Sequence, residues 1–468
     1  MSRSLRTAAV VLLVVVLSLT AAFIPACAPE DYEPDPPVSR DTPFTVYVGG
    51  YEWGPGAYKV TFDFGDVVSG ADADTFVLRM RSSNRSSRAT VWDAYPCDIK
   101  GERVEEPSRY VAFEIEPKRN DASMFKTSSS GRSVWDDEWS VTLELAEGES
   151  FSVGEESYSA GAEWEHVFAA AERVIPATEA FEKDTFTHGD VTLTRALFTP
   201  EGAESDGKAD PLVIWLHGGG EGGTDIDIAL LGAEVTALTR EDEIGYWFAD
   251  DGVAGAYVLA VQCPTMWMDS GDGTIDNEAD GEQTSVYTDA LIAAIEDVVD
   301  SEPDIDRDRI YVGGCSNGGY MTMNLAFEMP DYFAAFYPVC EGYNDANISD
   351  EMIEAIKDES IWFVYSVNDY VLPPDENTVP TYARLLLAGA EDVHCTVLDK
   401  VAGYDDPTIT DYGGHWVWTT VLNDRVESRL DDDEVREYLA THDDTFVISP
   451  DSCTVSESLW EWLSERVG

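Results

Sequence analysis

The sequence predicts two domains of different class: an all-β sandwich over residues 44–178, and over residues 179–468 an α/β domain whose mostly parallel sheet is covered by helices on both faces. Three observations predict it. From Phe44 to about Val174 short runs such as FTVYVGGY, YKVTFDF, TFVLRMRS and WSVTLEL alternate apolar and polar residues, the period of a half-buried antiparallel strand. After Val191 the runs PLVIWL, GAYVLAVQC, RIYVGGC, AAFYPVC and IWFVYS are almost wholly apolar and are separated by helix-period segments such as TDALIAAIEDVV, as in a sheet buried on both faces. Finally, 44% hydrophobic and 11% aromatic residues in 468 supply enough apolar surface for large cores and exclude a disordered acidic chain.

In chain order, residues 1–26 have the layout of a secretory signal of lipoprotein type, with Arg3 and Arg6 ahead of an apolar core from Ala8 to Leu17. Ile24-Pro25-Ala26 precedes Cys27, which is the expected lipidation site, and Pro25 is unusual there. An uncleaved anchor and cleavage nearby with an unmodified Cys27 are the alternatives. All of them put the body of the protein outside the membrane, either lipid-anchored at the cell surface or secreted. Residues 27–43, rich in Pro and acid, read as an extended tether.

The charge follows from 29 Lys+Arg against 91 Asp+Glu, 29 − 91 = −62, with only 8 lysines. Such a surface repels a phosphate backbone, so nucleic acid is excluded as a partner. It suits salty or crowded external media. Six cysteines besides Cys27 lack zinc spacing, and no metal site is expected. Asp276-x-Glu278-x-Asp280-Gly281 begins like a calcium loop, but its twelfth position is Tyr287 where a bidentate Glu is needed.

The chemistry gathers where apolar strands end. Gly314-Cys315-Ser316-Asn317-Gly318 stands between an apolar run and the helix-like NGGYMTMNLAFEM, the strand–turn–helix setting of a nucleophile elbow that presents Ser316. About a hundred residues earlier, His217-Gly218-Gly219-Gly220 follows PLVIWL. A glycine-rich turn there supplies an unshielded N–H from Gly218 or Gly219 which, with that of Asn317, forms an oxyanion hole. A phosphate loop lacks its G-K-[ST] ending here.

The general base must follow the serine, which leaves His394, His415 and His442 among six histidines. His394 opens a strand and His442 lies in an acidic stretch, whereas His415 sits in the Gly-rich Asp411-Tyr-Gly-Gly-His-Trp-Val-Trp and is the expected base. Asp369, just after IWFVYS, is placed to orient that imidazole. Trp267 is a candidate substrate contact, with Trp416 and Trp418 behind it, although a tryptophan beside an apolar run commonly serves packing.

These motifs, GGCSNGGYMTMNLAFEMPDYFAAFYPVCE with HGGGEGG upstream and SVNDYV and GGHWVW downstream, resemble the α/β-hydrolase superfamily, and within it the secreted esterases and prolyl-oligopeptidase-like enzymes that include polyhydroxybutyrate depolymerase-type and feruloyl-esterase-type members. FTVYVGGYEWGPGAYKVTFDFGDVVSGADADTFVL is similar to the immunoglobulin-like domain that precedes the hydrolase in a group of bacterial esterases. The resemblance implies an α/β-hydrolase fold, nucleophile Ser316, base His415, acid Asp369, oxyanion amides from Gly218–Gly219 and Asn317, and no cofactor. It departs at residues 423–452, an acidic insertion that reads either as a lid or as a surface excursion. Cys315 is expected either as a buried thiol or bridged to Cys340.

The expected activity is hydrolysis of small-molecule or polymer carboxylic esters through an acyl-enzyme. A serine peptidase is the alternative, and a surface binding protein on a hydrolase scaffold is the reading from another class. The front domain is expected to pack on the hydrolase, cover part of its cleft or mediate self-association.

Overall fold

The computed structural model describes residues 43–427 apart from 84, 160–162, 168–172, 204–206, 250–254, 276, 280 and 282, together with residues 433–442 and 458–468. The signal, the tether, Cys27, Cys453 and two acids of the calcium-like loop, Asp276 and Asp280, lie outside the described residues. Contacts divide the chain into two compact units, one running to Gly49 and from Pro55 to Ile175, the other comprising Gly50–Gly54 and Pro176–Gly468.

Among the described residues, the first unit is all β apart from a one-turn helix, Arg119–Ala122. A five-stranded sheet orders Arg173–Val174, Phe44–Tyr51, Gly54–Asp63, Tyr110–Ile115 and Val91–Cys97, and a four-stranded sheet orders Glu163–Val167, Ser140–Leu145, Phe76–Ser82 and Arg85–Arg88. Alternate residues Val60 and Phe62, Leu78 and Met80, and Val141 and Leu143 are buried, as the period of two requires. Phe113 of the larger sheet meets Phe76 of the smaller edge-on at 5.5 Å between centroids, so the two sheets face one another as a sandwich.

The second unit is built on eight strands: β1 (Phe181–His188), β2 (Val191–Phe198), β3 (Asp210–Leu216), β4 (Tyr257–Gln262), β5 (Ile305–Cys315), β6 (Ala335–Val339), β7 (Ile361–Ser366) and β8 (Val393–Leu398). Their order is β1-β2-β4-β3-β5-β6-β7-β8, with β1, β2 and β4 paired antiparallel and every pair from β4 to β8 parallel. This is the α/β-hydrolase fold.

Both faces of the sheet are covered at its centre, which is why β3, β4, β6 and β7 are buried throughout, whereas the edge strand β1 is mostly exposed. On β3, Leu212, Ile214 and Leu216 enter one core while Val213 and Trp215 enter the other. Burying one such tryptophan removes on the order of 200 Å² from water, about 5 kcal/mol of hydrophobic stabilisation before the cost of ordering the chain.

The helices relevant to the site are α1 (Ile226–Gly232), α2 (Thr288–Ser301), α3 (Asn317–Glu328), α4 (Asp350–Ile356), α5 (Thr378–Ala388), α6 (Asp433–His442) and α7 (Leu459–Ser464). In α2 the buried residues Ala290, Leu291, Ala294, Ile295, Val298 and Val299 recur at helical spacing, while Glu296, Asp297 and Asp300 face solvent. By contrast α3 is buried from Asn317 to Ala326, as expected of a helix that starts at the centre of the sheet. In the 423–452 segment the described helix α6 buries Val435 and Leu439 in the core that also holds Tyr382, Leu385 and Leu386 of α5.

Candidate active site

β5 ends at Cys315 and α3 begins at Asn317, so the turn between them is Ser316 alone, with φ of +57°. A non-glycine residue there costs about 1–3 kcal/mol and persists only when its surroundings dictate it. Here they do. A Cβ on Gly314 would lie 2.3 Å from Leu216 O, one on Gly318 2.0 Å from the same oxygen, and one on Gly319 2.7 Å from Glu341 Cα. The spacing of glycines around the serine is therefore set by how closely the elbow must approach β3 and the segment after β6. The Ser316 N–H donates to Val339 O at 2.9 Å, and its carbonyl accepts from Tyr320 N at 3.0 Å.

Asp369 follows the end of β7, where its N–H donates to Ser366 O at 3.1 Å and turns the side chain inward. It is buried. Its Oδ1 accepts from Val371 N at 2.9 Å and Leu372 N at 3.0 Å, leaving Oδ2 for the imidazole. His415 lies in a short turn, Gly414–Trp416, whose Gly414 presses on the Asn368–Asp369 peptide: a Cβ there would come 2.3 Å from Asn368 C. That close approach sets His415 Nδ1 2.8 Å from Asp369 Oδ2, while Nε2 stands 3.0 Å from Ser316 Oγ. A carboxylate can only accept, so Nδ1 carries the hydrogen and the Nε2 lone pair faces the serine hydroxyl. Trp418 meets the imidazole edge-on at 5.7 Å, and Trp416 stacks on Tyr412 at 5.2 Å behind it.

Three of the other histidines have structural surroundings. His394 bonds Asp392 at 2.9 Å and stacks on Trp362, and exposed His442 stacks on Tyr438. His217 Nδ1 donates to Gly218 O at 2.6 Å and Nε2 accepts from Cys263 N at 3.2 Å, so it braces the glycine turn.

In that turn Gly219 lies beside the start of α3, a Cβ on it being 3.8 Å from Asn317 Cβ. Gly218 instead lies against the Glu221 carboxylate and the Cys315 thiol, a Cβ on it being 3.0 Å from Glu221 Oε2 and 3.4 Å from Cys315 Sγ. Of the two glycines expected to bind an oxyanion, Gly219 is the one that stands beside Asn317. Asn317 contributes its backbone at the N-terminus of α3, and its side-chain Oδ1 accepts from Met268 N at 3.2 Å and from Trp267 N, pinning the loop after β4.

Trp267 corrects an expectation. It has no accessible surface and packs on His217 at 5.0 Å, so it supports the oxyanion turn from within the core and does not line a substrate surface. The exposed apolar side chains near the triad are Tyr370 and Val371, next to Asp369, and Ile275, whose Cδ1 lies 3.6 Å from where a Cβ on Gly219 would sit. Sequence reasoning missed these three because each stands in a polar loop without periodicity. It also passed over Glu221, although that residue is plain in HGGGEGG.

Cys315 and Cys340 are separate buried thiols and not a bridge, because Cys315 Sγ turns to Gly218 while Cys340 Sγ points at His415 O, 3.5 Å away. Burial raises both thiols well above their ordinary range. Cys340, Asp369 and His415 bring a sulfur, an oxygen and a nitrogen within 4.8 Å of one another, but the Asp369–His415 hydrogen bond already engages two of the three groups.

Residues 277–396, which include the serine elbow and Asp369, match the prolyl oligopeptidase family. No curated protein matches the chain. Among solved structures, a thermostable esterase is similar at 22% identity with a TM-score of 0.60, over 85% of this chain and 98% of the esterase. The acylaminoacyl peptidase of Pyrococcus horikoshii is similar at 15% identity and a TM-score of 0.35, over 70% of this chain and 55% of the peptidase. A ferulic acid esterase is similar at 15% identity and a TM-score of 0.35, over 52% of this chain and 95% of its own. With its sheet order and the family match over its serine elbow, this chain is a serine hydrolase with the α/β-hydrolase fold.

Proposed function

We propose that the protein hydrolyses carboxylic esters through an acyl-enzyme on Ser316. The observation that carries this reading is the unbroken chain Ser316 Oγ, His415 Nε2, His415 Nδ1 and Asp369 Oδ2, with links of 3.0 and 2.8 Å. Ser316 Oγ attacks the ester carbonyl while His415 Nε2 takes its proton, and Asp369 stabilises the imidazolium. The oxyanion forms against the amides of Gly219 and Asn317, each donor of this kind contributing about 3–4 kcal/mol to the barrier reduction. Collapse expels the alcohol with the proton from His415. Water, deprotonated by the same nitrogen, then releases the acid and restores the serine.

An ester substrate is supported by the apolar rim of Ile275, Tyr370 and Val371 and by the esterase whose fold this chain shares. Peptide hydrolysis is the second reading, favoured by the family matched over residues 277–396. The proposal includes export, with Cys27 as a lipid anchor to the membrane, and a supporting or self-associating role for the front domain.

The test is hydrolysis of p-nitrophenyl esters from C2 to C12 by residues 28–468 beside Ser316→Ala. Turnover by the wild type and none by the variant is expected, and the chain-length profile sizes the acyl site. Fluorophosphonate labelling of Ser316 without any ester turnover would transfer the reading to peptides. Absence of both would overturn a working triad.

A further inference from the structure

We propose that Glu221 is a positioning residue of the oxyanion turn, its carboxylate seated in a notch left by Gly218 and Gly232 and holding the turn so that the Gly219 amide stays over Ser316. The inference rests on the reading of Ser316 as nucleophile.

The notch is visible from both sides. A Cβ on Gly218 would stand 3.0 Å from Glu221 Oε2, and a Cβ on Gly232, the last residue of α1, would stand 2.5 Å from Glu221 Cγ and 3.2 Å from Oε1. Two glycines far apart in sequence are thus bare at the places this side chain occupies. Neither glycine has a positive φ, so backbone freedom does not explain them. The carboxylate thus lies against Gly218 at the entrance to the turn Gly219–Glu221, and the backbone of Glu221 closes that turn by donating its N–H to Gly218 O at 3.3 Å. Gln262 Nε2 donates to Glu221 O at 2.7 Å and fixes the backbone at the same residue.

Burial raises this carboxyl to about 7. A half-buried carboxyl withdrawn this far from water is costly unless its oxygens are hydrogen-bonded, so its place in the notch needs an account. The task the geometry offers is orientation. With the carboxylate packed against Gly218 behind the turn, Gly219 is left next to Asn317 at the start of α3.

The test is a double-mutant cycle on residues 28–468 with Glu221→Ala, Glu221→Gln, Gly232→Ala and the pair Glu221→Ala/Gly232→Ala, using p-nitrophenyl acetate and rates per fluorophosphonate-labelled site. An oxyanion donor acts in the transition state, so Glu221→Ala is expected to lower kcat roughly 30- to 100-fold with KM within about threefold. Glu221→Gln, which keeps an acceptor in the notch, is expected to recover most of the loss. Gly232→Ala lies outside the chemistry and is expected to lower kcat about tenfold by displacing the carboxylate, yet to cost nothing further in the Glu221→Ala background. A wild-type kcat per labelled site in Glu221→Ala, or a Gly232→Ala effect of equal size in both backgrounds, would overturn the proposal. A wild type that neither turns over nor labels would overturn the nucleophile assignment itself, and the two failures are told apart because that one is read without any variant.

Discussion

Asp369→Asn changes one atom type in the site and leaves its shape, so its effect is worked directly from the hydrogen bonds. Asp369 Oδ1 accepts two backbone N–H groups, from Val371 at 2.9 Å and Leu372 at 3.0 Å, and Oδ2 accepts from His415 Nδ1 at 2.8 Å. An asparagine has one acceptor oxygen. Facing its NH₂ to the two backbone donors would leave both unpaired in a buried site, at roughly 1–3 kcal/mol each. The amide oxygen therefore stays with Val371 and Leu372, and the NH₂ points at the imidazole. Nδ1 must then be an acceptor, which puts the hydrogen on Nε2 and turns a donor toward Ser316 Oγ, 3.0 Å away. The base is lost while substrate contacts remain. The expected result is a fall in kcat of about 10⁴, or about 5.5 kcal/mol in barrier, with KM little changed and thermal stability close to wild type. Steady-state kinetics on p-nitrophenyl acetate with a melting curve for each protein measures this. Retention of kcat within tenfold would refute the tautomer argument, and with it the role given to Asp369.

Glu341 is buried where it accepts from Tyr343 N at 2.6 Å and Thr378 Oγ1 at 3.3 Å, and desolvation raises it to about 8. A carboxyl raised on folding keeps its proton when the unfolded chain has lost it, so its contribution to stability falls as pH rises from about 4.5 to 8. Glu341→Gln is therefore expected to gain Tm relative to wild type across that window, by roughly 2–5 °C at pH 9 and little at pH 5, and a constant difference would contradict it. Gly318→Ala forces a Cβ to within 2.0 Å of Leu216 O, and is expected to cost roughly 3 kcal/mol in urea unfolding and most of the activity; unchanged stability would mean the elbow has slack. With a charge of −62, raising NaCl from 10 mM to 1 M shortens the screening length from about 30 to about 3 Å and is expected to raise Tm by several degrees, whereas a flat or falling Tm would show that self-repulsion does not limit stability.

The change of period near residue 180 was enough to place both classes of sheet, because a strand buried on two faces and a strand buried on one cannot share a pattern. The parts of the site that sequence made visible share a cause as well. Gly314, Ser316 and Gly318 stand at fixed spacing because the turn that lifts the serine brings its neighbours against Leu216 O, so a steric requirement is written locally in the chain. Asp369 is legible from its place after a strand end and His415 from its Gly-rich loop after the serine, and the structure brings both to Ser316. Trp267 was misread because an aromatic after a strand has the same appearance whether it faces solvent or core. Its full burial follows from the pinning of the loop by the Asn317 side chain, a contact between residues 50 apart.

Glu221 marks the limit of such reading in a more instructive way. Its neighbours in HGGGEGG explain themselves as turn glycines, but the glycine that makes room for its side chain is Gly232, at the far end of α1, where a helix gains nothing from lacking a Cβ and loses about 1 kcal/mol relative to alanine. That loss has no local compensation. It becomes intelligible only when α1 is folded back over the oxyanion turn and the carboxylate occupies the space. A residue whose cost is local and whose use is distant leaves no pattern in one sequence, which is why the triad was legible and the group behind the oxyanion turn was not.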